Sequence, residues 1–401
     1  MQKFKTLFGS ILILLSLGSV YAWSLFNSPL AEKFGLEVNS VAFTFGIMTL
    51  FIATGSLCSG FLKLRIGINP VIVLSSVCIG IGLLIAAFAP NLIVLFIAAG
   101  VLLGFGDGLG YMLVLTNCVK FFPRHKGLIS ALCIGAYGAG SLVFKSIDEY
   151  MLANYGLQSA LMCWGLVCAS AAALGSLLVY DAMLQKDIAQ SASASKREYE
   201  LRHSIRTLPY WLLALMFLID CMCGLYIIGA AANLGSSVAS LNAADAAFCV
   251  SIAALANIAG RLIMGVLSDR LPRIRLITFD QTLSLIAMLM LLLLPQSMWL
   301  FYAAVSLVAF SFGGTLTIYP SIISDFFGIK NLAKNYGLLY LGFGVGSMVG
   351  YAVAIVFNSY SVTFALMAAG LIAAIVLSLL VRLPPELSQG HTKLKQEHLV
   401  P

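Results

Sequence analysis

Arg261 stands in Asn257-Ile-Ala-Gly-Arg261-Leu-Ile-Met-Gly265-Val-Leu-Ser268-Asp269-Arg270, a lone arginine inside an apolar run. Its guanidinium is planar, permanently charged and shaped to hold a carboxylate through two parallel hydrogen bonds. Eight helical steps to Asp269 place its Cα about 12 Å inside the helix end. An arginine at the centre of a membrane helix costs about 2.5–3.5 kcal/mol even on insertion scales. Something must offset that cost. One candidate is an anionic ligand; the other is a structural pairing with Asp107 or Asp220, which lie in other apolar runs. At 100° per residue, Ala254, Asn257, Arg261, Gly265 and Ser268 share one helix face, and Ile252, Leu255, Ala259, Ile263 and Val266 the other. The small and polar face is expected against protein or water, which makes Asn257 a second candidate ligand.

Three buried-type carboxylates accompany the arginine. Asp107 lies in Gly104-Phe-Gly-Asp107-Gly-Leu-Gly-Tyr111, whose glycines permit close helix contact. It reads as a polar clamp between helices or as a protonatable coupling group, and the clamp is preferred. Asp220 and Asp280 could each carry a coupling proton, since burial favours the neutral carboxyl. Lys145 is expected near the end of its helix, reaching the interface. No nucleophile–base pairing or phosphate loop appears, so the chemistry is binding rather than bond making. His125, His203, His391 and His398 all fall in polar connections or the tail, which argues against a metal site or histidine relay. No cofactor is implied.

Composition fixes the setting. The chain is 61% hydrophobic and only 10% charged, where a soluble domain carries about 25% charged residues; this is an all-α membrane protein. Its net charge of +7 is confined to short segments between apolar runs, so it does not signal nucleic acid. The nine cysteines lie in or at the end of apolar runs without redox or zinc spacing, and read as small packing residues.

Apolar segments fall at about 6–30, 40–62, 70–89, 91–117, 127–147 and 156–181, then at 209–233, 245–267, 274–294, 297–322, 335–356 and 360–382. That predicts twelve membrane helices. Lys3 and Lys5 before Leu7–Ala22 resemble a secretory leader, but the apolar run continues to about Leu30 and the repeat below needs this helix. Of the 23 lysines and arginines, all but Lys33, Lys145 and Arg261 fall on one side of such a bundle. The positive-inside rule makes that side, with both termini, cytoplasmic.

The two halves repeat. Gly60, Arg65 and Gly67 answer to Gly265 and Asp269-Arg270, and Phe121-Phe122-Pro123 to Phe326-Phe327-Gly328, at an offset of 205. Tyr137-Gly138-Ala139-Gly140-Ser141 answers to Phe343-Gly344-Val345-Gly346-Ser347 at 206, and Phe105-Gly106 to Phe312-Gly313 at 207. Two parallel six-helix halves, 1–181 and 209–382, around a linker at 182–208 describe a major facilitator fold, with a tail at 383–401. Ser191–Ser195 reads as flexible, and Lys196–Arg206 as a charged stretch along the membrane surface.

More narrowly, Tyr21-Ala-Trp23-Ser24-Leu-Phe26, Phe121-Phe122-Pro123 with Lys126-Gly127, and Asn335-Tyr336-Gly337-Leu-Leu-Tyr340 resemble the oxalate/formate antiporter family along nearly the whole chain. The resemblance implies an alternating-access carrier of small carboxylates in a bacterial inner membrane, expected as a monomer, with protons as a candidate coupling ion. It also implies that an arginine in span 8 and a lysine in span 11 bind two carboxylates inside an aromatic cage. Arg261 fills the first position; Phe343 stands at the second, so the lysine is missing. A dianion would leave one charge uncompensated in a cavity of low dielectric, and a monocarboxylate such as pyruvate, lactate or formate is expected. Tyr340 matches a cage position, and Tyr319 and Tyr21 lie at similar depth; Tyr111 is a weaker candidate. The rivals are a carrier of another organic anion, a proton-coupled exporter, and a transport-dead sensor on the same fold.

Overall fold

The structure is a computed structural model that describes residues 2–36, 38–184, 198–293 and 297–384. Every regular element among them is helical. Helix α1 (Gln2–Leu17) continues as a 3-10 segment, Gly18–Phe26, and a short helix, Asn27–Phe34. Then follow α2 (Val38–Ile66), α3 (Ile68–Ala87) and α4 (Leu92–Phe121), the last with a π-helical stretch at Phe96–Leu103. One helix of 51 residues, Lys126–Ser176, comes next. At 1.5 Å per residue it would run about 77 Å, more than twice the hydrocarbon thickness of a bilayer. It breaks at Gly156, whose φ of 79° only glycine adopts readily, giving α5 (126–155) and α6 (157–176). The second half holds α7 (Leu208–Val238), α8 (Ala243–Ser268), α9 (Arg273–Leu293) and α10 (Met298–Phe327). It closes with α11 (Leu332–Leu339, continued by Leu341–Phe357) and α12 (Tyr360–Leu380). Eleven of the described helices are long and apolar enough to cross a membrane, and the break at Gly156 makes the spans twelve.

The expected boundaries shift at one place that matters. α5 reaches residue 155 rather than 147, so Lys145 is not at a helix end. It is exposed and pairs with Glu149 one turn on, at 3.7 Å. Residues 185–197, with the serine–alanine alternation, lie outside the described residues, as does the tail from 385. In the described end of the linker, Glu198 accepts the amide hydrogens of Ile329 and Lys330 at 3.1 and 2.9 Å. Burial pushes the Glu198 carboxyl above the usual glutamate range, against those two bonds and the nearby Lys120 and Lys330.

Within each half the same helices meet: α2 packs on α4 and α3 on α6, as α8 packs on α10 and α9 on α12. The 3-10 segment after α1 lies along α5 so closely that a Cβ on Gly18 would overlap the main chain of Tyr137. On α1 itself Ile13, Leu14 and Leu17 are buried, and Ile13 meets Gly175 of α6.

The halves meet through α5 against α8 and α2 against α11. Both pairs run antiparallel. Gly127 lies against Gly265 and Asp269, Ala131 against Gly265, and Gly138 against Arg261. In the other pair, Gly60 lies against Ala333 and Lys334, Gly337 against Ser56 and Leu57, and Gly344 against Thr49, Leu50 and Ala53. The end of the bundle that carries the basic loops is tied shut. Lys126 Nζ donates to Ser324 Oγ at 2.9 Å and to Asp325 Oδ1 at 3.0 Å. Asp325 also pairs with Arg273, and Lys120 Nζ donates to the carbonyl of Lys330 at 3.0 Å.

Candidate functional site

Arg261 is 3% exposed. The burial along α8 follows the two expected faces in most positions. Arg261, Gly265 and Ser268 are buried, while Leu255, Ile263 and Val266 are exposed; Ala254 departs from its face and is exposed. The ion pairs among the described residues leave Arg261 out. Its Nη1 donates instead to the main-chain carbonyl of Ile134 on α5, across the boundary between the halves. Its Nε is buried with no hydrogen-bond partner in the protein.

Neither candidate carboxylate is spent on the arginine. Asp107 Oδ1 accepts the hydroxyl hydrogen of Tyr137 at 2.8 Å, joining α4 to α5. Asp220 Oδ2 accepts from the Gln281 amide at 3.1 Å, joining α7 to α9. Asp280 is fully buried beside Gly314, and both its oxygens lack a partner in the protein. Asn257 turns to α10, where its Nδ2 donates to the carbonyl of Ala309 at 2.8 Å. That bond fixes α8 against α10 and so helps to place Arg261.

The aromatic candidates form one connected chain. Tyr21 sits edge-on to Tyr137 at 5.6 Å, and Tyr137 to Tyr111 at 4.9 Å. Tyr111 meets Tyr340 at 5.4 Å, which carries the chain from the first half into the second. Tyr340 stacks on Phe343 at 5.0 Å with their planes 8° apart, and Phe343 on Phe312 at 6.5 Å. Tyr340 also meets Tyr336 at 5.5 Å and Phe217 at 5.9 Å. Phe217 links it to Tyr319 at 4.6 Å, whose hydroxyl donates to the carbonyl of Leu213 at 3.2 Å. Arg261 lies against Gly138 and Gly313, the chain neighbours of Tyr137 and Phe312 in this series of rings.

So Tyr21, Tyr340 and Phe343 lie in one series of touching rings, and Tyr319 joins it through Phe217. Tyr111, a weaker candidate from sequence, carries this series of rings across the halves. Tyr137 and Phe217 were missed. A signal for Tyr137 existed, because the repeat pairs it with Phe343. Offset rings at 4.5–7 Å add about 0.5–1.5 kcal/mol each beyond their buried area, so this chain is both shell and adhesive. A surface cleft of about 580 Å³ lies at the other end of the bundle, between Lys33 and the α5–α6 turn; it contains none of these residues.

Twelve membrane spans in two similar halves, with a buried cation bonded across the boundary between them, are the arrangement of a membrane transporter. A sequence model of the Major Facilitator Superfamily matches residues 8–319 and 211–401, and the chain belongs to that superfamily. It is 46% identical over 346 residues to the uncharacterized MFS-type transporter YhjX of Escherichia coli strain K12, covering 86% of each chain. It is 24% identical over 342 residues to the oxalate:formate antiporter of Oxalobacter formigenes, covering 83% of this chain and 79% of that one. Rat monocarboxylate transporter 13 is 25% identical over 303 residues, covering 74% and 68%. Among solved structures, the proton:xylose symporter XylE aligns over 96% of both chains with a TM-score of 0.74 at 12% identity. FucP in its outward conformation aligns over 93% of this chain and 98% of its own, with a TM-score of 0.66 at 13% identity.

Proposed function

We propose that this transporter carries a small monocarboxylate of the pyruvate, lactate or formate type by alternating access around Arg261. The observation that carries the reading is the one guanidinium buried among the described residues, without an ion pair there, beside an aromatic shell in which Phe343 stands where the related carriers' second cation is expected. One cation balances one carboxylate. Removing a second carboxylate from water without a partner costs several kcal/mol. Relatives named as an oxalate:formate antiporter and a monocarboxylate transporter support the anionic class. In this reading Arg261 binds the carboxylate, while Tyr21, Tyr111, Tyr340 and Phe343 enclose the apolar remainder. Asn257 positions Arg261 by holding α8 against α10.

The basic end is the cytoplasmic one by the positive-inside rule, which puts both termini in the cytoplasm and the ion-pair closure on that side. The membrane is a bacterial inner membrane, as the Escherichia coli relative suggests. Counterflow of labelled pyruvate in liposomes containing the purified chain tests the proposal. Saturable exchange that lactate and formate inhibit and oxalate does not is expected; high-affinity oxalate uptake would overturn it.

A second reading concerns the driving ion. Asp107 is bonded to Tyr137, whereas Asp280 is buried with both oxygens unpartnered among the described residues, and its chain neighbour Gln281 is bonded to Asp220. That arrangement suits a carboxyl that takes and gives up a proton, and would make transport proton-coupled. Acceleration of uptake by an imposed pH gradient, lost in Asp280→Asn, is the check.

A further inference from the structure

We infer that the bond from Arg261 to the Ile134 carbonyl is a tie that holds the empty carrier, and that an incoming carboxylate releases it by taking the guanidinium. The inference rests on Arg261 being the carboxylate site and adds how occupancy of that site is conveyed to the halves. Arg261 belongs to α8 and Ile134 to α5, one of the helix pairs along which the halves meet. The bond therefore crosses the seam that rocking must rearrange.

Its acceptor is a poor partner for a full charge. The Ile134 carbonyl is neutral, and in an α-helix it already accepts the N–H of the residue four places on, Gly138. A carboxylate makes hydrogen bonds roughly twice as strong and can engage two guanidinium nitrogens at once. Arg261 has the capacity, since its Nε is buried without a partner, and a carboxylate gripping that edge draws the guanidinium away from the carbonyl that Nη1 holds. That shift removes a link between α5 and α8.

Gly138 is the positioning residue that makes the tie. A Cβ built there would fall within 3.0 Å of Nη1, closer than real side chains come, so any side chain at 138 makes the guanidinium shift from its place on the α5 main chain. Gly135, on the same helix, offers a contrast: a Cβ there meets nothing within 4 Å. An alanine at 138 pushes the guanidinium off α5 and leaves its charge intact, whereas an alanine at 135 touches nothing. A tied empty carrier reorients slowly and a loaded one freely, so the wild-type protein exchanges substrate faster than it moves it one way.

The test uses the full chain in liposomes with labelled pyruvate, comparing exchange into pyruvate-loaded vesicles with net uptake into empty ones. The expected wild-type ratio is roughly tenfold or more, the equivalent of one charge-assisted hydrogen bond. Gly138→Ala brings the ratio towards one, and Gly135→Ala leaves it unchanged. An unchanged ratio in Gly138→Ala overturns the tie. If Gly138→Ala does not fold, amide hydrogen exchange in the wild-type α5 segment 134–138 decides: faster exchange with saturating pyruvate supports the tie, and no change overturns it. If wild type moves none of pyruvate, lactate and formate, the monocarboxylate reading fails separately. The tie is then judged without substrate, by hydrogen exchange of α5 in Arg261→Lys. Faster exchange than wild type supports it, and equal exchange overturns it.

Discussion

The carboxylate of Asp269, at the end of α8, accepts the amide hydrogens of Gly127 and Leu128 at 2.8 and 3.0 Å. One half of the protein thus caps a helix of the other. Its counterpart in the repeat, Leu64, has no such group and is 70% exposed. The closure is therefore lopsided: a carboxylate seals α8 to α5, while α2 meets α11 through glycine contacts at Gly60, Gly337 and Gly344.

Asp269→Ala removes a helix cap, worth about 0.5–2 kcal/mol. Exchange of the Gly127 and Leu128 amides is expected to rise about fivefold or more, and the basic end to open more often. Hydrogen exchange of the first turn of α5 measures it; unchanged protection would show that the ion pairs of Asp325 close this end alone.

Arg261→Lys keeps the charge and loses the fork. Lysine cannot hold a carboxylate through two parallel bonds, so pyruvate counterflow should fall at least about tenfold while the protein still inserts and purifies as a folded species. Wild-type uptake by this variant would remove Arg261 from the site.

Phe343→Lys supplies a second cation. It also breaks the stack on Tyr340, at about 0.5–1.5 kcal/mol. Oxalate should become an inhibitor of pyruvate uptake, at concentrations roughly tenfold lower than for wild type, as one charged hydrogen bond allows. Inhibition curves by oxalate and pyruvate decide it.

Tyr137→Phe leaves both oxygens of the buried Asp107 without a partner, a loss of about 1–3 kcal/mol. A Tyr137→Phe/Asp107→Leu double variant should recover most of it, because removing both polar partners is nearly neutral. Thermal unfolding in detergent reads the clamp. A double variant that is stable yet no longer responds to a pH gradient would make Asp107 a coupling group instead.

Glu198 gives a pH dependence of known sign. Burial holds its carboxyl above the ordinary range in the folded protein, so the folded chain binds this proton more tightly than the unfolded one. The charged form then costs stability at neutral pH. That cost fades as pH falls through the raised folded value and is absent below the ordinary glutamate value. Glu198→Gln should match or exceed wild type in melting temperature at pH 7, with the difference shrinking towards pH 4–5. A large loss at pH 7 would show that its two amide bonds outweigh burial.

Much of this was legible in residue order. Twelve spans follow from apolar runs and prolines, and the offsets near 205 expose the two halves. The break at Gly156 was read only as a gap between runs, because Lys145, Asp148 and Glu149 interrupt hydropathy without interrupting the helix. Arg261 was visible because a charge in an apolar run is conspicuous. Its actual acceptor was not, since a main-chain carbonyl has no signature in a sequence. Tyr111 and Tyr137 were undervalued for a related reason. Their importance lies in which rings they touch across helices, and periodicity reports faces, not neighbours. Asn257 was on the right face and formed a different bond.

The close approach of α1 and α5 has a mechanical meaning. Where Gly18 and Gly140 bring the two main chains together, there is no side-chain layer to shear. Tyr21, in the 3-10 segment that follows α1, and the Ile134 carbonyl on α5 therefore belong to one rigid unit, so the first ring of the aromatic series and the acceptor of the Arg261 bond keep a fixed spacing.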